Sequence, residues 1–200
     1  MKQFFFFGDS ITLGVNDPKG NGWVGQFAKG IIDNHGLTVP PTTFYNLGVR
    51  KNSSREIRGR WVTEFSSRQF PASQNFLLFC FGTVDTILVS GTPNVFDDES
   101  VANARSILSA AKESGEVLLM SAPPVKDKGH SKRISALMFD YEQVCTEIDV
   151  PFLDIFTPLS KRPYYLDSLT DAIHPDTKGN GLIAGMLLNS SAVRRWMRVK

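Results

Sequence analysis

The stretch Phe4-Phe5-Phe6-Phe7-Gly8-Asp9-Ser10, close to the start of the chain, decides the fold. Its aromatic run is too short for the apolar core of a signal peptide and far below the roughly 20 apolar residues that cross a bilayer. Side chains of a strand alternate between two faces, so such a run fits a strand buried on both faces, as in the centre of a parallel sheet. The sequence therefore predicts a core strand over Phe4–Phe7, with a glycine turn and Ser10 directly after it.

The rest of the chain alternates between short apolar runs and longer segments of helical period. Further strands are predicted over Thr43–Asn46, Asn75–Phe81, Glu116–Met120 and Val150–Asp154. Helices are predicted over Trp23–Asn34, Arg55–Ser67, Asp97–Ser114, Lys132–Glu147 and, after a loop region around Arg162–Pro175, Thr177–Asn189. This alternation predicts a three-layer α/β/α sandwich of flavodoxin-like type, with a parallel sheet of about five strands.

Length and composition favour one globular domain over residues 1–200. Of the 200 residues, 42% are hydrophobic and 21% are charged, which is typical of a folded protein rather than a disordered one. A formal net charge of +2, without a dense basic run, argues against nucleic acid as a partner. No stretch is long enough for a membrane span. We therefore expect a cytoplasmic protein, and the sequence leaves its oligomeric state open.

The cysteines and histidines do not form the patterns of a disulfide framework or a metal site. Cys80 and Cys145 fall in a predicted strand and a predicted helix, so we expect reduced thiols in the core. His35, His130 and His174 are too scattered for a metal cluster. His35 and His130 occupy polar, turn-like contexts and are predicted to be solvated. No metal and no organic cofactor is expected.

Several distinctive residues follow strands of the predicted sheet. In open parallel sheets, ligands bind beyond the carboxyl ends of the strands. The loops that begin at Gly8, Asn46, Gly82 and Ser121 should therefore face one rim. The segment Ala122-Pro123-Pro124-Val125 follows the fourth strand there, and it either shapes a pocket wall or forms a plain turn.

Ser10 is the candidate nucleophile. A nucleophilic hydroxyl has to project at the rim with backbone N–H groups beside it, because these stabilise the oxyanion that develops during acyl transfer. Gly8 permits a tight turn in front of it. Taken alone, however, Gly8-Asp9-Ser10 is more typical of a turn serine that caps a helix.

The segment Asp171-Ala172-Ile173-His174-Pro175 offers a candidate base at the other end of the chain. A histidine base accepts the serine proton on one ring nitrogen, while a carboxylate holds the other N–H and fixes the tautomer. Asp171 precedes His174 by three residues, so its carboxylate can reach the ring in a loop. Asp167 and Asp176 compete for this role, and spacing alone does not rank them.

Four short blocks, taken together and in order, resemble the SGNH/GDSL hydrolase superfamily over nearly the whole chain. The blocks are Gly8-Asp9-Ser10, then Gly48 in Tyr45-Asn46-Leu47-Gly48-Val49-Arg50, then Gly82-Thr83-Val84-Asp85 where the family has Gly-x-Asn-Asp, and finally Asp171 and His174 followed by Pro175. Each block follows the predicted element that it follows in the family.

The resemblance implies a carboxylic ester hydrolase, a GDSL-type esterase or lipase, that acts on a small-molecule ester without a cofactor. By that resemblance Ser10 is the nucleophile, and His174 is the general base and then the general acid, oriented by Asp171. The N–H groups of Ser10 and Gly48 are two donors of the oxyanion hole. Supporting roles fall to Asp9, Gly82 and Asp85.

Val84 departs from the family pattern. The family's asparagine at this position donates its side-chain amide to the oxyanion, whereas valine can donate nothing. The loss of one such donor lowers kcat by on the order of 10²–10³. The enzyme is then slower, with help from a group such as Asn52 or Thr83, or it takes a substrate that needs less support, or it has lost hydrolysis and only binds a ligand.

The sequence does not identify the ester. Small or medium acyl groups are expected because no lid-like insertion is evident, and Tyr164, Tyr165 and Leu166 offer apolar lining for a pocket. A thioesterase and a carbohydrate O-deacetylase are alternatives, as is an inactive binding protein on the same fold. A phosphate or flavin binder would explain neither Asp171 nor His174.

Overall fold

The computed structural model describes residues 1–197; residues 198–200 of the predicted domain lie outside the described residues. The strands are β1 (Lys2–Gly8), β2 (Thr43–Gly48), β3 (Gln74–Cys80), β4 (Leu88–Val89), β5 (Thr92–Pro93), β6 (Glu116–Met120) and β7 (Phe152–Leu153). The helices are α1 (Ser10–Leu13), α2 (Gly22–His35), α3 (Ser54–Ser66), α4 (Asp97–Lys112), α5 (Lys128–Glu147), α6 (Phe156–Ser160), α7 (Pro163–Asp167), α8 (Thr177–Leu188) and α9 (Ser191–Met197).

Five of these strands form one sheet in the order β2-β1-β3-β6-β7, and every neighbouring pair is parallel. β4 and β5 form a separate antiparallel hairpin. With the hairpin set aside, this is the 2-1-3-4-5 order of flavodoxin-like folds. Helices cover both faces of the sheet, so the predicted three-layer α/β/α class is confirmed.

The aromatic run of β1 divides between the two faces of the sheet, as the sequence predicts. Phe4 and Phe6 pack into a core with side chains of α2, α8 and α9. Phe5 and Phe7 pack on the opposite face with side chains of α3, α4 and α5. All four are at most 1% exposed, because β1 lies between β2 and β3 and is covered on both faces.

The strand register brings the loops that carry the candidate residues to one rim. Gly8, the last residue of β1, is paired with Gly48 of β2 and with Cys80 of β3. The three strands therefore end at the same level, and the loops that follow them leave the sheet side by side. This places the loop of Ser10 between the loops of the second and third blocks.

The short elements are where the structure departs from the sequence-based expectation. α1, α6, α7 and α9 have four to seven residues, too few turns to show a hydrophobic period, and none was expected. α7 lies inside the predicted loop 162–175. β7 is limited to Phe152–Leu153 because at the sheet edge it pairs only with Leu119 and Met120. None of the helices within residues 1–197 has both the length and the apolarity to span a membrane.

Candidate active site

Ser10 is the first residue of α1, directly after the end of β1. Asp9 caps this helix, because its carboxylate accepts the N–H of Ile11 at 2.8 Å. Gly8 has no room for a side chain: a Cβ there would lie 2.2 Å from Thr12 Oγ1 and 2.4 Å from the Cys80 carbonyl oxygen. The glycine therefore lets α1 start close against β3, which fixes the place of the Ser10 hydroxyl.

Ser10, His174 and Asp171 form a line of two short hydrogen bonds. The distance from Ser10 Oγ to His174 Nε2 is 2.7 Å, and that from His174 Nδ1 to Asp171 Oδ2 is 2.6 Å. A carboxylate only accepts, so Nδ1 carries a proton, and Nε2 of the neutral ring is left to accept from the Ser10 hydroxyl. The histidine ring is buried, with 10% of its side chain exposed, while 42% of the Asp171 side chain is exposed.

The loop before α8 holds Asp171 in this orientation. Its second oxygen, Oδ1, accepts the N–H groups of Ile173 at 3.1 Å and His174 at 2.8 Å, in the manner of an Asx turn. Partial burial raises the pKa of Asp171, but the hydrogen bonds from His174 and Ile173 outweigh it, so the pKa lies below its usual value. Asp171 is therefore held as a carboxylate beside the ring.

The competing aspartate Asp176 has a different place in the structure. Its carboxylate caps α8 by accepting the N–H groups of Lys178 and Gly179, both at 2.9 Å. Asp167 is the last residue of α7. Spacing could not rank these three aspartates because the choice depends on how the loop turns between α7 and α8.

The backbone around Ser10 offers fewer oxyanion donors than the sequence suggests. The Ser10 N–H opens α1 and has no intrahelical acceptor. The Gly48 N–H, however, donates to Asn46 Oδ1 at 3.0 Å, and it reaches a substrate oxygen only when Asn46 releases it. The glycine has a packing role instead, since a Cβ there would lie 2.2 Å from the Leu13 nitrogen.

Two other N–H groups of the loop after β2 are unoccupied by protein acceptors. Within residues 1–197, neither the Arg50 N–H nor the Lys51 N–H donates a hydrogen bond. Lys51 has a φ of 63°, in the left-handed region that non-glycine residues rarely adopt. The loop therefore still presents backbone donors, two and three residues after Gly48.

Asn52 and Arg60 link this loop to β1, the strand that precedes Ser10, and sequence reasoning missed Arg60. Arg60 Nε donates to Asn52 Oδ1 at 2.6 Å, and its Nη2 donates to the Gly8 carbonyl oxygen at 3.1 Å. Because Asn52 Oδ1 is held by Arg60, the Asn52 side-chain NH₂ group is left to donate elsewhere. No local pattern signals this contact, because Arg60 reads as an ordinary polar position of an amphipathic helix.

The loop after β3, which carries Val84, is fixed by a buried aspartate. Asp85 is fully buried and accepts the Ser54 N–H at 3.0 Å and the Ser100 hydroxyl at 2.6 Å. Ser100 Oγ in turn lies 2.6 Å from the Tyr141 hydroxyl. Burial raises the pKa of Asp85, against the hydrogen bonds from Ser100 and Ser54 that lower it. Asp85 therefore joins the loop to α3, α4 and α5.

His130 also holds this loop, and the expectation that it is solvated is wrong. His130 is 7% exposed, and its Nε2 lies 3.0 Å from both the Thr83 carbonyl oxygen and Thr86 Oγ1. Burial lowers its pKa, which favours the neutral ring. His130 does lie in a turn-like segment, the first turn of α5, but that turn packs against the loop that carries Val84.

The aromatic cluster after α6 is only partly available to a ligand. Tyr165 is fully buried in the core and Tyr164 is exposed on the surface, whereas Leu166 lines a cavity beside the rim. Pro124 and Val125 line the same cavity, so the segment after β6 forms a pocket wall rather than a plain turn. No group of three or more potential metal ligands occurs within residues 1–197.

A family model for the GDSL-like lipase/acylhydrolase family matches residues 6–182. The chain belongs to this family. Family membership makes it a carboxylic ester hydrolase, as the order of the four sequence blocks implies. A search of curated protein sequences returned no match.

Solved structures of the same fold include esterases. Axe2, an acetylxylan esterase from Geobacillus stearothermophilus, superposes with a TM-score of 0.77 at 18% identity, over 99% of this chain and 97% of that one. A member of the lipolytic G-D-S-L family from Veillonella parvula gives a TM-score of 0.75 at 18% identity, over 96% and 98% of the two chains. LAE5, a hydrolase from the metagenome of Lake Arreo, gives 0.75 at 15% identity, over 93% of each chain.

The buried carboxyl of Asp9 leads to a prediction about stability and pH. Burial, with a smaller contribution from the charge of Asp85, raises the pKa of Asp9 to about 7, although N–H donors oppose the shift. Asp9 in the folded chain then keeps a proton that the unfolded chain loses near pH 4, so folding loses stability as pH rises from about 4 to 7. Between pH 5 and pH 8 this amounts to about 3 kcal/mol, because only the two units below pH 7 contribute, at 1.36 kcal/mol each.

Replacing Asp9 with asparagine should remove that dependence, since the amide oxygen still accepts the Ile11 N–H. Relative to the wild type, D9N should gain about 3 kcal/mol in the free energy of unfolding between pH 5 and pH 8, measured by urea denaturation. A difference between the two proteins that is the same at both pH values would contradict the raised pKa.

Proposed function

We propose that this chain hydrolyses esters of small or medium acyl groups through an acyl-enzyme on Ser10. The observation that carries the proposal is the line of hydrogen bonds from Ser10 Oγ through His174 to Asp171, at 2.7 and 2.6 Å. This is the arrangement in which a serine hydroxyl becomes a nucleophile at neutral pH.

The reaction proceeds in two halves. Ser10 Oγ attacks the ester carbonyl carbon while its proton passes to His174 Nε2, and the imidazolium is stabilised by Asp171. The tetrahedral intermediate collapses, and the alcohol leaves with the proton from Nε2. Water then attacks the acyl-enzyme, again losing its proton to His174, and the second collapse releases the carboxylic acid and restores the Ser10 hydroxyl.

The oxyanion is held by a different set of donors from the family pattern. The Ser10 N–H is the first donor, and the loop after β2 supplies the second, either from Gly48 after Asn46 releases it or from the neighbouring Arg50 and Lys51. The Asn52 amide is the third donor, in place of the asparagine that Val84 replaces. Its support is the Arg60 contact, which holds the amide oxygen and leaves the NH₂ group free to donate.

The relatives of known structure support ester hydrolysis by residues of these types. In Axe2, variants of one serine and one histidine are described as catalytic mutants. Axe2 acts on acetylated xylo-oligosaccharides, and this favours a carbohydrate O-deacetylase among the alternatives for the present chain. Acetyl esters are accordingly the first acyl type to examine.

Covalent labelling tests the nucleophile without assuming a substrate. A fluorescent alkyl phosphonate should label the wild type and add its mass to the peptide that contains Ser10, while S10A stays unlabelled. As a matched control, Ser53→Ala removes a hydroxyl that caps α3 and should leave labelling intact. A wild type that is neither labelled nor active on p-nitrophenyl acetate would instead support a binding protein.

The Asn52 donor makes a separate prediction. Asn52→Ala should lower kcat for p-nitrophenyl butyrate by about 10-fold or more with little change in KM, because the lost hydrogen bond forms only in the transition state. Steady-state kinetics at one pH checks this. An equal effect on KM alone would show that Asn52 binds the ester in the ground state and is not an oxyanion donor.

A further inference from the structure

A cavity of about 410 Å³ lies on the catalytic rim, beside the loop of His174. One wall is the segment Pro124–Lys126, which follows the carboxyl end of β6, and the others come from α5, α6 and the end of α7. The cavity therefore lies at the edge of the sheet where β1, the strand before Ser10, also ends.

The cavity wall is bonded directly to the catalytic loop. The Lys126 N–H donates to the carbonyl oxygen of Ala172 at 2.9 Å, and Ala172 lies between Asp171 and His174. On the other side, Ser131 Oγ accepts the Val125 N–H at 2.9 Å and donates to the Val125 carbonyl at 2.7 Å. A group in the cavity would thus sit against a wall that touches the loop of the base.

The lining combines an apolar floor with a cationic edge. Pro124 and Val125 are buried, and Phe156 and Leu166 are half-buried. The remaining lining residues are polar and are Lys126, Lys128, Lys132, Ser131, Ser135 and Ser160. No carboxylate is among the lining residues, and within residues 1–197 none of the three lysines forms an ion pair.

Two of the three lysines, Lys128 and Lys132, are placed where helix stability disfavours them. Lys128 opens α5, where the helix dipole repels a cation, and the first turn contains no acidic residue. Lys132 lies four residues later, so the two like charges face each other on one side of the helix. The nearest acid in sequence, Asp127, accepts the His130 N–H as the cap of α5. All three lysines are exposed, and their charges can reach an anion that lies on the apolar floor of the cavity.

We propose that the cavity binds an anionic group attached to an apolar body, in the alcohol part of the ester substrate. This rests on the proposed ester hydrolysis at Ser10. We assign the cavity to the alcohol part of the ester because a small acyl group would fill only a fraction of its volume. The substrate class is therefore an acyl ester of a carboxylate-bearing alcohol or phenol, with Lys126, Lys128 and Lys132 as the residues that determine specificity.

The test compares two esters that differ mainly in charge: 4-acetoxybenzoate, an anion, and 4-acetoxybenzamide, which is neutral. The ratio of their kcat/KM values is measured for the wild type and for the triple variant K126Q/K128Q/K132Q, so intrinsic reactivity cancels. The ratio should fall by about tenfold in the triple variant, and the preference for the anion should weaken with salt. Turnover of the neutral ester should stay within about twofold, since the bond to Ala172 uses only the Lys126 backbone.

Lys29→Gln is the matched control, because it removes one lysine charge from α2 on the opposite face of the sheet. An unchanged ratio in the triple variant, or an equal fall in K29Q, would overturn the proposal. Calorimetric binding of 4-hydroxybenzoate against 4-hydroxybenzamide gives a readout that needs no turnover. If the wild type hydrolyses neither ester but binds 4-hydroxybenzoate more tightly than 4-hydroxybenzamide, and the triple variant loses that preference, the proposed function is refuted and the anion site stands. If the wild type shows no preference for the anion, the site is refuted.

Discussion

Replacing Ser10 with alanine is expected to lower kcat for p-nitrophenyl acetate by about 10⁴-fold or more, and H174A by a similar factor. The reason is that, in the proposed mechanism, the 2.7 Å hydrogen bond joins these side chains into one nucleophile–base unit. The double variant S10A/H174A should therefore lose almost nothing further, since either single change already removes the unit.

Asp171→Asn should lower kcat by about 10⁴-fold, because an amide can donate to Nδ1 and favour the wrong tautomer.

The measurement is kcat of purified variants, with thermal unfolding as the control for folding. Ser10 and Asp171 are not core residues, so the midpoint of unfolding should change by only a few degrees at most. Losses that multiply in the double variant would show that Ser10 and His174 act independently, and hydrolysis would then have to arise elsewhere. A loss of folding in S10A would show instead that the Ser10 side chain is needed to hold the start of α1, beside its cap Asp9.

The fold could be predicted because its strongest signal is local. Phe4–Phe7 is buried on both faces of the sheet, so every residue of the run had to be apolar, and the pattern was visible without any contact partner. α1 was not visible, because a helix of four residues has one turn and no period. The edge strand β7 is shorter than predicted, because the apolar stretch around it continues beyond the two residues that pair.

The structure brings Ser10, His174 and Asp171 together, but the contacts that hold them in place could not be predicted from the sequence. Gly8 and Gly48 both lie beside Ser10 or its helix, and sequence cannot tell a glycine needed for close packing from one needed for its N–H. His130 and Arg60 reach the site from helices far along the chain, through the Thr83 carbonyl and the Gly8 carbonyl. Such contacts depend on how helices pack against loops, and no spacing in the sequence encodes them.

Val84→Asn is expected to raise kcat for p-nitrophenyl butyrate by about 10-fold, and by up to 10²-fold if the new amide is well aligned. The rigid loop favours good alignment, because Asp85 and His130 hold it from three sides and residue 84 lies between their contacts. Leucine has nearly the shape of asparagine without its donors, so V84L is the matched control and should show no gain. KM should change little in either variant, since the added hydrogen bond forms mainly with the tetrahedral intermediate.

The same substitution separates the two roles open to Asn52. If Asn52 donates to the oxyanion, a donor at position 84 can replace it, and V84N should recover more activity in an Asn52→Ala background than in the wild type. If Asn52 only holds Arg60 near Gly8, the two effects should simply multiply, because a donor on the loop after β3 cannot repair the loop after β2. A decrease in kcat with V84N in both backgrounds would mean that the oxyanion lies beyond the reach of residue 84, and that the apolar side chain there shapes the pocket.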